Sequence, residues 1–175
     1  MPDLPIYIEP TVIVTASRAS EPLGTAAASV TLVDPKRIDR LAPPLVTDLL
    51  RLSPSLSVAT SGPAGSQTQV RIRGAEANHT LLFVEGIRAN DPAAGNEPRF
   101  DLLNADVASR IEIVRGPQSA LWGSEAIGGV IAVEGAAPGA GESTAMVEGG
   151  SFGTLRGAAR TSLGTADRGI SLGIA

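Results

Sequence analysis

Glycine and proline break the apolar pattern of this chain so often that no long helix can be drawn through it. Its 20 glycines and 13 prolines make up close to a fifth of 175 residues, against a usual share of about 12%. Residues 110–134, RIEIVRGPQSALWGSEAIGGVIAVE, show the consequence. Two β-branched apolar runs flank a linker of glycine, proline and small residues, which favours short strands joined by turns. Aromatic residues are only 3% of the chain, so a core must be assembled from Val, Ile, Leu and Ala. The linker invites a phosphate-loop reading at Gly123 to Gly129, but Val130-Ile131 follows where that loop needs Lys-Ser/Thr to reach phosphate and magnesium. A dinucleotide fingerprint also fails, because the segment leads into a strand and not a helix.

Other chemistries are narrowed by composition. A net charge of -4 and a pI near 5.0 offer no basic face for a phosphate backbone, so nucleic acid is not an expected partner. Without cysteine there are no disulfides, thiolate metal sites or thiol nucleophiles. His79 is the only histidine. No two-histidine metal site is available, no serine acquires an assignable base, and His79 reads as a polar turn residue. The expectation is therefore a non-enzyme with no cofactor. Residues 1 to 5, MPDLP, have neither the basic start nor the apolar stretch of a signal peptide, which suits a cytoplasmic protein, a mature form or an incomplete gene alike.

Residues 1–27 read as a mobile leader with one β-branched run, Thr11 to Thr15. Ser29 to Val33 is expected as a strand. Asp34 should cap a helix from Pro35 to Leu41, and Pro44 to Leu52 should form a second with Leu45, Leu49 and Leu52 on one face. Strands are expected at 56–60, 69–73, 81–84, 110–115 and 130–134, with polar loops at Ser61 to Thr68 and Ala89 to Arg99. After the small residues 136–141 the pattern changes to strict alternation. Leu155, Gly157, Ala159, Thr161 and Leu163 fall on one side, and Arg156, Ala158, Arg160 and Ser162 on the other. Past a turn at 164–167, Ile170, Leu172 and Ile174 continue it. Alternation alone places an amphipathic hairpin on a soluble sheet first and a membrane-spanning β-strand pair second. The pattern runs to Ala175, and further strands are expected beyond it.

The order of the motifs is more informative than any one of them. Thr11-Val12-Ile13-Val14-Thr15-Ala16, Thr47-Asp48-Leu49-Leu50, Val70-Arg71-Ile72-Arg73-Gly74, residues 78–86 (NHTLLFVEG), Arg110 to Pro117 and Gly128-Gly129-Val130-Ile131 together resemble the plug domain of TonB-dependent outer-membrane receptors. The likeness covers about residues 11–135, and 142–175 resemble the first barrel strands. Residues 75–94, with Asn78-His79-Thr80 and Asn90-Asp91-Pro92, are most similar to the vitamin B12 receptor branch. Glu85-Gly86 departs from the family's usual Asp-Gly, which puts the geometry of that turn in question, and Trp122 replaces a frequent tyrosine.

This resemblance implies an α+β fold: a plug with a small mixed β-sheet and short helices, followed by the first antiparallel strands of a truncated transmembrane β-barrel. The implied division is 1–27 for an extended segment carrying the TonB box, 28–138 for the plug and 139–175 for barrel strands. Thr11, Val12, Ile13, Val14, Thr15 and Ala16 would be the TonB box, where the periplasmic energy-transducing protein TonB adds a strand. Gln67, Asn90, Asp91, Asn96 and Glu97, on the two loops, would face the imported ligand. Arg73 and Arg115 would pair with glutamates of the barrel wall, Gly116-Pro117 would end its strand sharply, and Gly128-Gly129 would let the final plug strand pass near that wall. The implied function is energy-coupled import of a scarce nutrient, a corrinoid such as cobalamin or an iron chelate, across the bacterial outer membrane with the N-terminus in the periplasm. A soluble α+β binding module is the alternative, and dependence on detergent separates the two.

Overall fold

The structure is a computed structural model that describes residues 12–101, 103–137, 141, 143–165 and 168–175. In chain order its elements are β1 (Val12–Ile13), β2 (Glu21–Pro22), β3 (Ser29–Val33), α1 (Pro35–Leu41), α2 (Val46–Arg51), β4 (Leu56–Thr60), β5 (Thr68–Ile72), β6 (Thr80–Val84), β7 (Ile87–Arg88), β8 (Asn90–Asp91), β9 (Glu97–Pro98), β10 (Arg110–Arg115), α3 (Ser119–Trp122), β11 (Gly129–Glu134), β12 (Ser143–Gly149), β13 (Leu155–Gly164) and β14 (Gly169–Ile174). A five-stranded sheet, ordered β3-β10-β11-β6-β7, carries the fold. Its ladders are antiparallel except β11 against β6, so the sheet is mixed. Strands β12, β13 and β14 form a separate antiparallel sheet. A mixed sheet with few short helices and a following antiparallel meander is the architecture expected from the sequence.

Alternation on the central strands builds two cores. Ile111 and Ile113 of β10, Ile131 and Val133 of β11 and Leu82 of β6 face α1 and α2, where they bury Ile38, Val46, Leu49, Leu50 and Phe100. Val114, Val130 and Leu81 point to the opposite face and are covered by Ile13, Ala16 and Ala126. Asp34 caps α1 as expected, its carboxylate accepting the Arg37 amide at 2.8 Å. The buried side of α2 differs from expectation: Val46, Leu49 and Leu50 are buried, and Leu52 is 56% exposed. Leu52 lies past the last helical turn, so the spacing counted from Leu45 does not continue through it.

Residues 1–27 were expected to be a mobile leader, and from Val12 onward the structure corrects this. β1 pairs with β2, and Ile13, Thr15 and Ala16 are buried against the sheet. The loop at 89–99 is likewise more ordered than its composition suggests. Asn90 and Asp91 pair with Pro98 and Glu97 around a turn closed by Gly95. Glu85 adopts a left-handed φ of 51° and Gly86 one of 74°, giving the tight turn between β6 and β7 that glycine or asparagine normally serves. Its carboxylate accepts the Gly135 amide, which offsets the strain of that backbone.

Gly116, Gly128 and Gly129 at the β10–β11 connection are structural, because each lies close against other backbone or side chains of this chain. A Cβ on Gly129 would stand 2.2 Å from the Val114 carbonyl oxygen, and one on Gly128 would stand 3.0 Å from the Ala75 side chain. Gly129→Ala is therefore expected to cost about 3 kcal/mol, because backbone must move to admit the methyl group. Gly24→Ala, with nothing within 4 Å of the added carbon, should be near neutral. Urea unfolding of both variants checks this pair of outcomes.

Candidate functional site

The most elaborate polar arrangement lies where the N-terminal segment crosses β10. Because Ile111 and Ile113 face the helices, Glu112 must face the other way, under residues 13–16. It is wholly buried. A carboxylate there is tolerable only if its lone pairs are filled, and the segment fills them. The Thr15 amide donates at 2.7 Å and the Val14 amide at 3.1 Å, while Arg110 closes the other side. Burial pushes the Glu112 carboxyl up, and the amides of Thr15 and Val14 with Arg110 more than reverse this, leaving it below the ordinary value. Glu134, opposite Arg110 on β11, is raised by burial and then by the neighbouring Glu112 and Glu85 charges.

Trp122 holds the same segment from above. Its indole N–H donates to the Thr15 carbonyl at 3.0 Å, and its ring packs on Phe83 with centroids 4.6 Å apart. The Arg18 guanidinium lies 4.2 Å over the ring. Of the six residues expected as a TonB box, Thr11 lies outside the described residues, the backbone of Val12 and Ile13 pairs with β2, Ile13, Thr15 and Ala16 are buried, and Val14 is held through its amide with its side chain exposed. Sequence reasoning missed Glu112 and Trp122. The one available signal was a charged residue in the middle of an otherwise apolar strand, Ile111-Glu112-Ile113.

The loop residues expected to face a ligand separate into two groups. Gln67 and Glu97 come together at 3.2 Å over a cavity of about 250 Å³, also lined by Thr68, Arg99 and Asp101. Gln69 reaches the same Glu97 carboxylate at 2.8 Å, and Arg99 pairs with Asp101 at 2.9 Å and with Asp91 at 3.4 Å. Asn90 instead points inward. Its carboxamide accepts the Leu82 amide and donates to the Thr80 and Asn96 carbonyls, bonds that fix the loop. Asn96 sits at a left-handed φ of 64° and accepts from Arg88 at 2.8 Å. Arg99 and Asp101 join the cavity by register and turn geometry, which the sequence alone did not reveal.

Arg73 and Arg115 lie together. A Cβ on Gly116 would stand 3.0 Å from an Arg73 guanidinium nitrogen, and the Arg115 guanidinium is pulled below its ordinary pKa by burial and then by Arg73. Arg115 donates to the Ser29 hydroxyl at 3.1 Å, the Thr31 hydroxyl at 2.7 Å and the Pro54 carbonyl at 3.3 Å. No carboxylate of the described residues forms an ion pair with either arginine.

The outer sheet follows the alternation read from the sequence. On β13, Arg160 and Ser162 are buried against the rest of the molecule, while Leu155 and Leu163 are exposed. Ile170, Leu172 and Ile174 of β14 extend the exposed apolar row.

Comparison with known proteins places these features in context. Residues 22–130 match the TonB-dependent receptor plug domain family. Among solved structures, the chain is similar to the ferripyoverdine receptor of the Pseudomonas aeruginosa outer membrane, with a TM-score of 0.71 and 22% identity over 87% of this chain and 20% of that one. The alcaligin outer-membrane receptor of Bordetella pertussis gives 0.66 and 19% identity, covering 85% of this chain and 25% of that one. For the ferric yersiniabactin uptake receptor of Yersinia pestis the values are 0.57 and 22%, covering 77% and 21%. The chain thus spans about a fifth to a quarter of the length of these receptors.

Proposed function

The chain belongs to the TonB-dependent receptor plug domain family, matched over residues 22–130, and from that premise we propose that it is the plug and opening wall strands of an energy-coupled import receptor of the bacterial outer membrane. The carrying observation is the coexistence of three parts in one chain: an N-terminal β-strand docked on a plug sheet, a polar loop cavity, and a strand pair with an exposed apolar row. That apolar row suits lipid and argues against a soluble module. TonB would add its strand to residues 11–16, whose backbone supplies the donors and acceptors. The plug would lie inside the barrel with its N-terminus toward the periplasm.

For the ligand, an iron chelate is the first choice and a corrinoid such as cobalamin the second. Two of the similar receptors are described with ferric ligands, ferripyoverdine and ferric yersiniabactin. Gln67, Glu97 and Arg99, with Asp91 and Asn96 beside them, would supply hydrogen bonds to such a ligand from below. The test is a binding panel of ferric siderophores and cobalamin on the full-length receptor. Replacing residues 89–99 by a Gly/Ser linker should weaken binding of the accepted ligand by tenfold or more, on the order of two lost hydrogen bonds. Unchanged affinity would remove this loop from the site.

Arg73 and Arg115 would find their acidic partners on barrel strands beyond this chain. Two guanidinium groups in mutual repulsion, one of them satisfied by neutral oxygens alone, favour an external carboxylate. In the full-length receptor, Arg115→Ala should raise passive leakage of small solutes in a liposome swelling assay, and unchanged leakage would count against this lock.

A further inference from the structure

We infer that Arg156 and Arg160 of β13 anchor the α1 corner of the plug to the first wall strands, and that this corner limits how far a displacement begun at the N-terminus can travel. The two arginines are four residues apart on a strand, hence on one face, and that face turns toward the plug. Arg160 is 8% exposed, with one nitrogen donating to the Ala108 carbonyl at 3.0 Å and another to the Asp39 carboxylate at 2.5 Å. Arg156 donates to the Ala42 carbonyl at 2.8 Å, with Asp106 at 3.6 Å and Glu148 at 3.0 Å around it. Asp39 lies on α1 and Ala42 caps it, while Asp106 and Ala108 lie on the turn that enters β10. A guanidinium fork meets a carbonyl and a carboxylate at once, which lysine could not do with the same geometry. The polarity is opposite to that at Arg73 and Arg115: here the cations stand on the wall strand and the acceptors on the plug.

Sheet order gives the anchor its consequence. Among the described residues β3 pairs with β10 alone and is an edge strand, whereas β10, β11 and β6 are each held on both sides. Residues 12–22 precede β3 and rest on the two-residue β1–β2 pair and on the Glu112 and Trp122 contacts. Movement drawn from the N-terminus therefore reaches β3 by breaking one ladder and then meets α1, where the wall holds Asp39 and Ala42. The source of that movement rests on the import-receptor reading; the anchor itself does not.

Hydrogen exchange of the full-length protein in detergent micelles, free of ligand and partner, tests the anchor. In Arg160→Ala the amides of Ile38 to Ala42 should exchange about tenfold faster while those of β10 and β11 keep their protection. Arg160→Lys, which retains the charge without the fork, should fall between. The reversed pair, Arg160→Asp with Asp39→Arg, should recover most of the protection. Unchanged α1 exchange in Arg160→Ala would overturn the inference, as would equal acceleration throughout β10 and β11 or a reversed pair no better protected than the single variant. None of these readouts uses transport, so a receptor that fails the coupling test on residues 11–16 leaves this result standing.

Discussion

Val14→Pro is expected to abolish energy-coupled uptake while leaving ligand binding intact. On the import-receptor reading, strand addition to residues 11–16 would run through main-chain groups, and proline removes the position-14 donor and fixes φ near -65°. Loss of one ladder bond and the accompanying steric conflict is worth on the order of 2 kcal/mol, more than tenfold in partner affinity. Val14→Ala keeps the donor and should be mild. The Val14 amide also donates to Glu112, so the proline variant undocks the segment as well. Undocking by itself would expose the segment and favour a partner, so lost uptake in this variant must come from the damaged strand. Uptake and binding are measured side by side in the full-length receptor. Normal uptake with proline at 14 would show that this segment is not the coupling box.

The plug sheet was legible in the sequence because its strands carry their own punctuation. Gly116-Pro117 and Gly128-Gly129 bracket the β10–β11 connection, and Asp34-Pro35 announces α1. The alternation from Leu155 to Leu163 gave the two faces of β13 correctly, down to Arg156 and Arg160 on the inner one. What stayed hidden depended on long-range pairing. Residues 12–16 look like a free strand until Glu112, nearly a hundred positions later, is brought beneath their amides. Asn90 and Gln67 look alike as polar loop residues, but one is consumed by three backbone bonds and the other lines the cavity. Glu85 read as a poor turn residue because the Gly135 amide that its carboxylate caps lies 50 positions away. Composition cannot rank such residues, because the neighbour that decides each case is set by sheet order.

Glu112→Gln should free the N-terminal segment without unfolding the sheet. The side chain keeps its shape, but Val14 and Thr15 lose a charged acceptor and Arg110 loses its closest carboxylate. Removing one member of so buried a cluster costs about 3 kcal/mol, which corresponds to roughly a hundredfold shift from docked to free. The Val14 and Thr15 amides should exchange faster by about that factor, and Trp122 emission should shift as its bond to the Thr15 carbonyl opens. The pH dependence has a definite sign. Because the folded state lowers the Glu112 pKa, the carboxylate stabilises docking fully above the ordinary glutamate value of about 4.3 and loses that contribution as the pH falls through the depressed value. The Trp122 signal of the wild type should therefore be flat above that value and change only in acid, and the Gln variant should lack this transition. On the import-receptor reading, docking and strand addition compete for the same two amides, so apparent affinity for the partner should rise by up to the factor by which the free segment becomes populated. Unchanged amide exchange in Glu112→Gln would show that the carboxylate does not hold the segment. Freed amides with unchanged partner affinity would show that it holds the segment without controlling access to it.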